Sequence, residues 1–488
     1  MLRFPAAFFC ALVLANAQEL EPFIKRFIDV YALVEREGAD PVEPAKAFYE
    51  GAIPGMLKKL DPHSVFFDPA QFEQLRQLQE SRQKGFGSVV SVLPGRVIVL
   101  QTLPGTPSAK SGLAPGDEIM AINAQPLERL DMEQLVELLG RSRQQQARLE
   151  VRRAGAARLL EFVLTPEELQ SPSVDRAFFL RPKAGYVRVA SFDEKTGQQV
   201  REAVEQLGGA SLKALVLDLR NNPGGLLGAA LETGSLFLKP GQKLLTVRGR
   251  KVPEQDQRVP DDAKPYTFSL AVLINGQSAS AAEIVAGALQ DHDRAVVVGE
   301  PSYGKGLVET VYPLSEGTGL ALTTSLYYTP SGRSIQRPLS DAGFALAATT
   351  ANPNEQAEFR TTSGRIVLGG GGIRPDHVVF PEGTSRLRAV LDGSGSFTTF
   401  ATEYLGKHPK IDPRFEVPPA LLDEFQVFLS ERKIQPDVTE WSRERPYIRN
   451  RLKAEIVTQA FGVDKGDEVE AQRDPQVLKA LEVLRLVE

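Results

Sequence analysis

Residues 275–306 read NGQSASAAEIVAGALQDHDRAVVVGEPSYGKG, and this stretch decides how the chain is read. Just before it, 269–274 (SLAVLI) is an apolar run of the kind that forms a buried strand. A turn of small residues follows, and then 281–289, whose composition favours helix. A second apolar run, 294–299, reads as another strand. It ends in a loop with one lysine between glycines, Gly304-Lys305-Gly306. Strand, turn and helix in that order place a small hydroxyl residue, Ser278 or Ser280, at a helix start. The free N–H groups there favour developing negative charge, which suits a serine nucleophile and its oxyanion. The same position suits a plain helix cap, the common use of serine there. Glu283, three residues after Ser280, has the spacing of a capping box. The residues of this stretch alone leave both readings open.

At 488 residues the chain exceeds a single core, so several domains are expected. A hydrophobic share of 42% supplies enough apolar material to pack them. A net charge of −5 without a dense basic stripe argues against a nucleic-acid binder. Residues 1–17, MLRFPAAFFCALVLANA, read as an export signal. Arg3 supplies the positive start, 5–13 is apolar but too short to span a bilayer, and Ala15-Asn16-Ala17 fits cleavage before Gln18. The competing reading is an uncleaved anchor. Cys10, the only cysteine, lies inside this segment behind Phe8 and Phe9, which argues against lipidation. The mature chain then has no thiol, which excludes disulfides, thiol catalysis and cysteine metal sites. No later run reaches the roughly 18 apolar residues of a spanning helix. The expectation is an exported protein, periplasmic or secreted, with no stable membrane span after signal cleavage.

From 18 to 82 apolar residues recur at helical spacing, as in Phe23, Phe27, Val30 and Tyr31. A second helix, 44–60, stops at Asp61-Pro62, and a third starts near Pro69. His63 reads as a turn residue. From 83 to 165 the texture changes to short strands, 88–92 and 97–101 around Pro94-Gly95, then 118–122 and 148–153, with a helix at 132–140. Residues 108–123, SAKSGLAPGDEIMAIN, make this region resemble a PDZ domain, which captures a chain end as an added strand and holds its carboxylate on backbone N–H groups. The corresponding loop, loosely matched, is Gly85, Phe86, Gly87 and Ser88, with Lys84 beside it. A module used only for internal packing is the alternative. Residues 165–173 read as a Pro/Ser linker. Beyond it, strands and helices alternate, and the strand 212–219 runs into Asp218-Leu-Arg-Asn-Asn-Pro-Gly-Gly225. Glycines after a strand let backbone N–H groups approach a reacting oxygen, or simply make the turn into a helix. A polar segment, 337–372, reads as an inserted loop or flap. From 385 the chain is helical at 386–391, 421–432, 446–461 and 475–486, packing on the core or forming a dimer contact.

Six segments, DLRNNPGG (218–225), NGQSASAAEIVAGAL (275–289), GEPSYGKG (299–306), YYTPSGRSIQ (327–336), GIRPD (372–376) and LDPHS (60–64), together resemble the carboxy-terminal processing, or tail-specific, peptidases. The resemblance implies a multidomain α/β protein. It would have a helical N-terminal region (18–82), a β-rich PDZ domain with two helices (83–165), an α/β peptidase core of crotonase-like type (166–384) and a helical C-terminal region (385–488). It implies Ser280 as nucleophile, Lys305 as general base, and the N–H groups of Gly225 and Ala281 as oxyanion hole, with no metal or organic cofactor. Serine needs a base, and lysine is an established one. The lysine must be partly neutral, and burial by 296–298 and 307–308 would favour that. Glu309 stands where relatives often carry glutamine. A carboxylate beside Lys305 would hold it protonated, so Glu309 and, more weakly, Glu283 either support the site or oppose it.

Other protease classes fit less well. His63, His292, His377 and His408 are the only histidines, and His292 falls in a polar turn. Residues 276–280 miss the nucleophile-elbow pattern at its last position, and no HExxH occurs. The partners implied are proteins or peptides with exposed C-terminal tails, with homo-oligomerisation left open. A non-catalytic PDZ adaptor on a degenerate peptidase core is the competing function. Glu309 is its only support, and the intact Ser280, Lys305 and Gly225 turn stand against it.

Overall fold

The computed structural model describes residues 6–79, 82–153, 155–337 and 357–486. They fall into two compact units, one formed by residues up to 72 together with 309–323, the other by the remainder.

In the smaller unit a long helix, Ala6–Glu37, precedes a second helical stretch, Pro44–Leu57, whose middle, Ala47–Ala52, widens to a π-helix. The first helix leaves Phe23, Ile24, Phe27 and Leu33 exposed. The segment 60–64 is a turn organised by buried Asp61, which accepts from the amides of His63 (2.7 Å) and Ser64 (2.8 Å) and from the Ser64 hydroxyl (2.6 Å). Thr323 donates to the same carboxylate at 3.1 Å. The strand Val65–Phe67 then pairs antiparallel with residues 319–321. His63 is a turn residue, as its surroundings in sequence suggest.

The larger unit is built on a six-stranded sheet in the order Val174–Arg181, Ala184–Val189, Ala214–Asp218, Ser269–Ile274, Val296–Gly299, His377–Val378. The first pair is antiparallel and the rest are parallel. Near-continuous apolar strands such as ALVLD and VVVG are what a parallel sheet covered on both faces requires. Thr196–Gln206, Leu227–Ser235 and Ala281–Asp291 cover one face, over Leu215, Leu217 and Val272. On the opposite face Val477, Ala480 and Leu481 of the helix Pro475–Val483 pack on Val216, Ala271, Leu273 and Val298. Alternate residues of one strand thus serve the two layers. The last of the tail helices, Pro475–Val483, packs on the core in this way.

A second six-stranded sheet holds Ser88–Leu93, Arg96–Thr102, Glu118–Ile122, Gln125–Pro126, Ala147–Arg152 and Leu160–Leu164. With the helices Pro107–Ser111 and Met132–Ser142 it encloses Val97, Val99, Ile119, Leu135 and Leu149, the expected β-rich body with two helices. The reading of 165–173 as a linker needs correction. Glu167–Gln170 is a strand paired antiparallel with Arg82–Gly85. Its Glu/Gln composition carries no alternation of apolar residues to announce it.

The C-terminal helices are Arg386–Gly393, Ser396–Lys407, Pro419–Glu431, Val438–Phe461, Val463–Ala471 and Pro475–Val483. Ser396–Lys407 was not expected, because its Ser/Thr/Phe-rich sequence is a weak helix former. Phe397 and Phe400, packed against Phe425, hold it in place. In sequence Pro446 suits a helix start. The helix instead begins at Val438, capped by Asp437, and runs through Pro446. Of the inserted segment, 338–356 lies outside the described residues. The remainder contains a hairpin of Glu358–Arg360 and Ile366–Leu368 rather than loop alone.

Candidate active site

Two turns meet at the carboxyl ends of the parallel strands, the usual site of chemistry in such sheets. One follows Ala214–Asp218, the other follows Ser269–Ile274. They are fastened to each other. Ala279 N–H donates to the Asn222 carbonyl (2.9 Å), and the Ser278 hydroxyl to the Leu219 carbonyl (2.8 Å). Asn221 N–H donates to Asn275 Oδ1 (2.9 Å), and Asn275 Nδ2 donates back to Asn221 Oδ1 (2.7 Å). Ser278 is fully buried, with its hydroxyl committed to the turn. Ser280, two residues on, stands at the helix start.

Ser280 is half-buried at the start of Ala281–Asp291 with φ 52° and ψ −114°. A non-glycine residue in that region is strained, and such strain gathers at active sites. The chain makes a sharp elbow between strand and helix although Ser278 and Ala282 stand where the elbow pattern has glycines. The Gly224-Gly225 turn is pressed against this elbow. A Cβ on Gly224 would lie 2.8 Å from Ser280 Cβ and 3.1 Å from Ala281 N. One on Gly225, at φ 142°, would lie 2.0 Å from the Phe192 carbonyl oxygen. Only glycines allow this approach. Among the described residues, neither the Gly225 nor the Ala281 amide donates a hydrogen bond.

The lysine loop is pinned along its backbone. The amides of Gly304 and Lys305 donate to Glu283 Oε1 (2.7 Å) and Oε2 (2.9 Å). Gly306 N–H donates to Gln336 Oε1 at 2.8 Å, and Tyr303 N–H to the Ser278 carbonyl at 2.9 Å. Glu283 also accepts from Ser280 N–H (2.9 Å) and from the Ser302 hydroxyl. The Tyr327 hydroxyl donates to the Lys305 carbonyl (2.8 Å) and lies 3.2 Å from that of Ser280. Two buried side chains, Glu283 and Tyr327, therefore tie the backbones of Ser280 and Lys305 to each other. Burial pushes the Glu283 carboxyl up, while its four hydrogen bonds pull it back toward the ionised form. Burial and the Glu283 charge push the Tyr327 phenol well up, so it stays a donor.

Both Glu283 oxygens are taken up by backbone amides and the Ser302 hydroxyl. Tyr327 and Gln336 lay inside a recognised motif without an assigned role. For Tyr327 the available signal is a hydroxyl-bearing ring in the apolar strand Gly319–Tyr328; Gln336 lies in irregular chain and carries none. Lys305 is half-buried, as is Glu309 on the strand Leu307–Pro313. His292 caps the far end of the Ser280 helix, an 11-residue helix about 16 Å long, and its ring nitrogens meet Lys243 O and Gln242. It is no partner for Ser280.

In the β-rich body, Gly85 ends a strand and Ser88 begins the next. Between them the Phe86 carbonyl accepts from Ser108 N–H, and the Gly87 carbonyl from Leu103 N–H, both at 2.8 Å. Gly87 sits at φ 76°, where a Cβ would strike Thr106 at 2.2 Å. Among the described residues no group of three or more His, Cys, Asp and Glu could hold a metal, and no helix is long and apolar enough to cross a membrane.

Comparison with known proteins matches residues 183–342 to peptidase family S41, 98–153 to the PDZ domain and 389–462 to a family of unknown function. The carboxy-terminal-processing protease of Bartonella bacilliformis is 36% identical over 66% of this chain and 74% of its own length. The carboxyl-terminal-processing protease of Synechocystis is 33% identical over 59% of this chain and 68% of its own. The chloroplastic carboxyl-terminal-processing peptidase 2 of Arabidopsis thaliana is 34% identical over 59% of this chain and 58% of its own. The chain therefore belongs to the carboxy-terminal processing proteases and is a serine-type peptidase with a PDZ domain.

Proposed function

We propose that this peptidase works through Ser280 and Lys305 on proteins whose C-terminal tails the PDZ domain captures. The observation that carries the reading is the strained Ser280 elbow, tied through Glu283 and Tyr327 to the lysine loop and faced by the Gly224-Gly225 turn. In the reaction Lys305 takes the Ser280 hydroxyl proton as Oγ attacks the scissile carbonyl. The amides of Gly225 and Ala281 receive the oxyanion, each such donor being worth about 3–4 kcal/mol in the transition state. The ammonium of Lys305 then protonates the leaving amine, and water, with Lys305 again as base, releases the acyl group. Gly85, Phe86, Gly87 and Ser88 are the proposed tail site. The working division is 18–82, 83–165, 166–384 and 385–488, behind an export signal at 1–17 that directs the protein to the periplasm or outside.

Intact-mass analysis of an unstructured reporter with an apolar C-terminus tests this reading. The native chain should cut it, while Ser280→Ala and Lys305→Ala should each remain folded and bind the reporter without cutting. A native chain that binds the tail and cuts nothing would instead establish the adaptor.

A further inference from the structure

The Gly225 turn is held from the front by the residues around Ser280. It is also held from behind. Asp218, buried at the end of its strand, accepts from the Tyr186 hydroxyl (2.6 Å) and from Arg220 Nε (2.9 Å to Oδ2). Arg220 Nη1 continues to Asp474 Oδ2 (2.5 Å) and Gln476 Oε1 (2.8 Å). Asp474 caps the helix Pro475–Val483 through the amides of Gln476 and Val477, and Gln476 Nε2 donates to the Val379 carbonyl at 2.7 Å. Burial works to lower the Arg220 pKa, but the charges of Asp218 and Asp474 outweigh it and raise the net value. Residue 221 follows directly with φ 57°, then Gly224 and Gly225 with φ 101° and 142°. A turn of this kind has little conformational preference of its own and takes its shape from its anchors.

We propose that Arg220, gripped by Asp474 and Gln476, is a positioning residue that sets the Gly225 amide for the transition state. The start of a C-terminal helix then serves the peptidase reaction. This rests on the oxyanion role given to Gly225 above. The Arg220–Asp474 pair borders a cavity of about 1,010 Å³, also lined by Tyr186, Arg188 and Leu93. Val477, Ala480 and Leu481, which make the helix's apolar contacts with the sheet, do not line it, although Tyr186 belongs to both. The pair can therefore be broken while that layer stays intact.

Asp474→Asn is the suitable variant, since asparagine caps a helix as well as aspartate but removes the charge. Arg220→Lys, which keeps the charge and loses the fork, is the second. Each is assayed in the full chain on the tailed reporter, and then with a peptide aldehyde, which forms an oxyanion on Ser280, and the matching alcohol, which does not. The expected result for both variants is a fall in kcat of about tenfold with KM within about twofold, since a displaced donor loses part of what a deleted one loses. Aldehyde affinity should fall by a similar factor and alcohol affinity should hold, with the urea midpoint near that of the native chain. Native kcat in either variant overturns the proposal. So does equal loss of aldehyde and alcohol binding, or loss that tracks unfolding. Ser280→Ala separates the two levels. If it still cuts, the serine–lysine reading falls and this inference with it. If it is silent while Asp474→Asn is normal, the inference alone falls.

Discussion

At the scale of single residues the site is decided by side chains that hold backbone. Glu283 accepts four hydrogen bonds, three from amides of the Ser280 and Lys305 segments. Glutamine there would turn an NH2 toward donors, at about 1–3 kcal/mol for each buried group left unsatisfied. Glu283→Gln is expected to fold and to lose about 10- to 100-fold in kcat with little change in KM, read by steady-state kinetics beside circular dichroism. Tyr327→Phe removes one hydroxyl shared by two carbonyls, and stability should drop by about 1 kcal/mol in urea titration, with a severalfold fall in kcat. Gly225→Ala would drive a methyl into the Phe192 carbonyl, so the turn must move. Activity should fall by about 100-fold or more in a chain that still shows native circular dichroism. The choice of Ser280 and Lys305 rested on long motifs in order, because the residues around Ser280 fit a cap equally well. Glu283 illustrates what sequence hides. Its spacing announced half of a capping box, while its links to Ser302, Gly304 and Lys305 need the fold to bring the two segments together.

At the scale of elements, legibility followed periodicity. The strands 214–218, 269–274 and 296–299 were plain because each is an apolar run ending at a turn. Ser396–Lys407 and Glu167–Gln170 were not, since one is held by aromatic packing and the other by pairing with a distant polar strand. The helix Pro475–Val483 was readable, but not what it covers. Its buried Leu481 packs in the layer over Val216 and Leu273. Leu481→Ala should lower stability by about 2–5 kcal/mol in urea titration, as for other buried leucines. A solvated helix would lose less than about 0.5 kcal/mol.

At the scale of the molecule, the order of bodies along the chain was legible and the routes between them were not. The strand Arg96–Thr102 reaches the C-terminal helices, with Arg96 Nη1 on Thr399 Oγ1 (3.0 Å) and Gln101 Oε1 on Val463 N–H (2.9 Å). The same helices continue to Asp474 and the peptidase sheet. These contacts join positions hundreds of residues apart, and no local pattern encodes them. The closing helix of the sheet also has a consequence in time. Ribosomes build the chain from the N-terminus, so Ser280 and Lys305 are made well before residues 475–483. Until those residues arrive, the sheet lacks its second apolar layer and Arg220 lacks Asp474. The order of synthesis therefore leaves that face of the sheet open until the last stretch of the chain has been made.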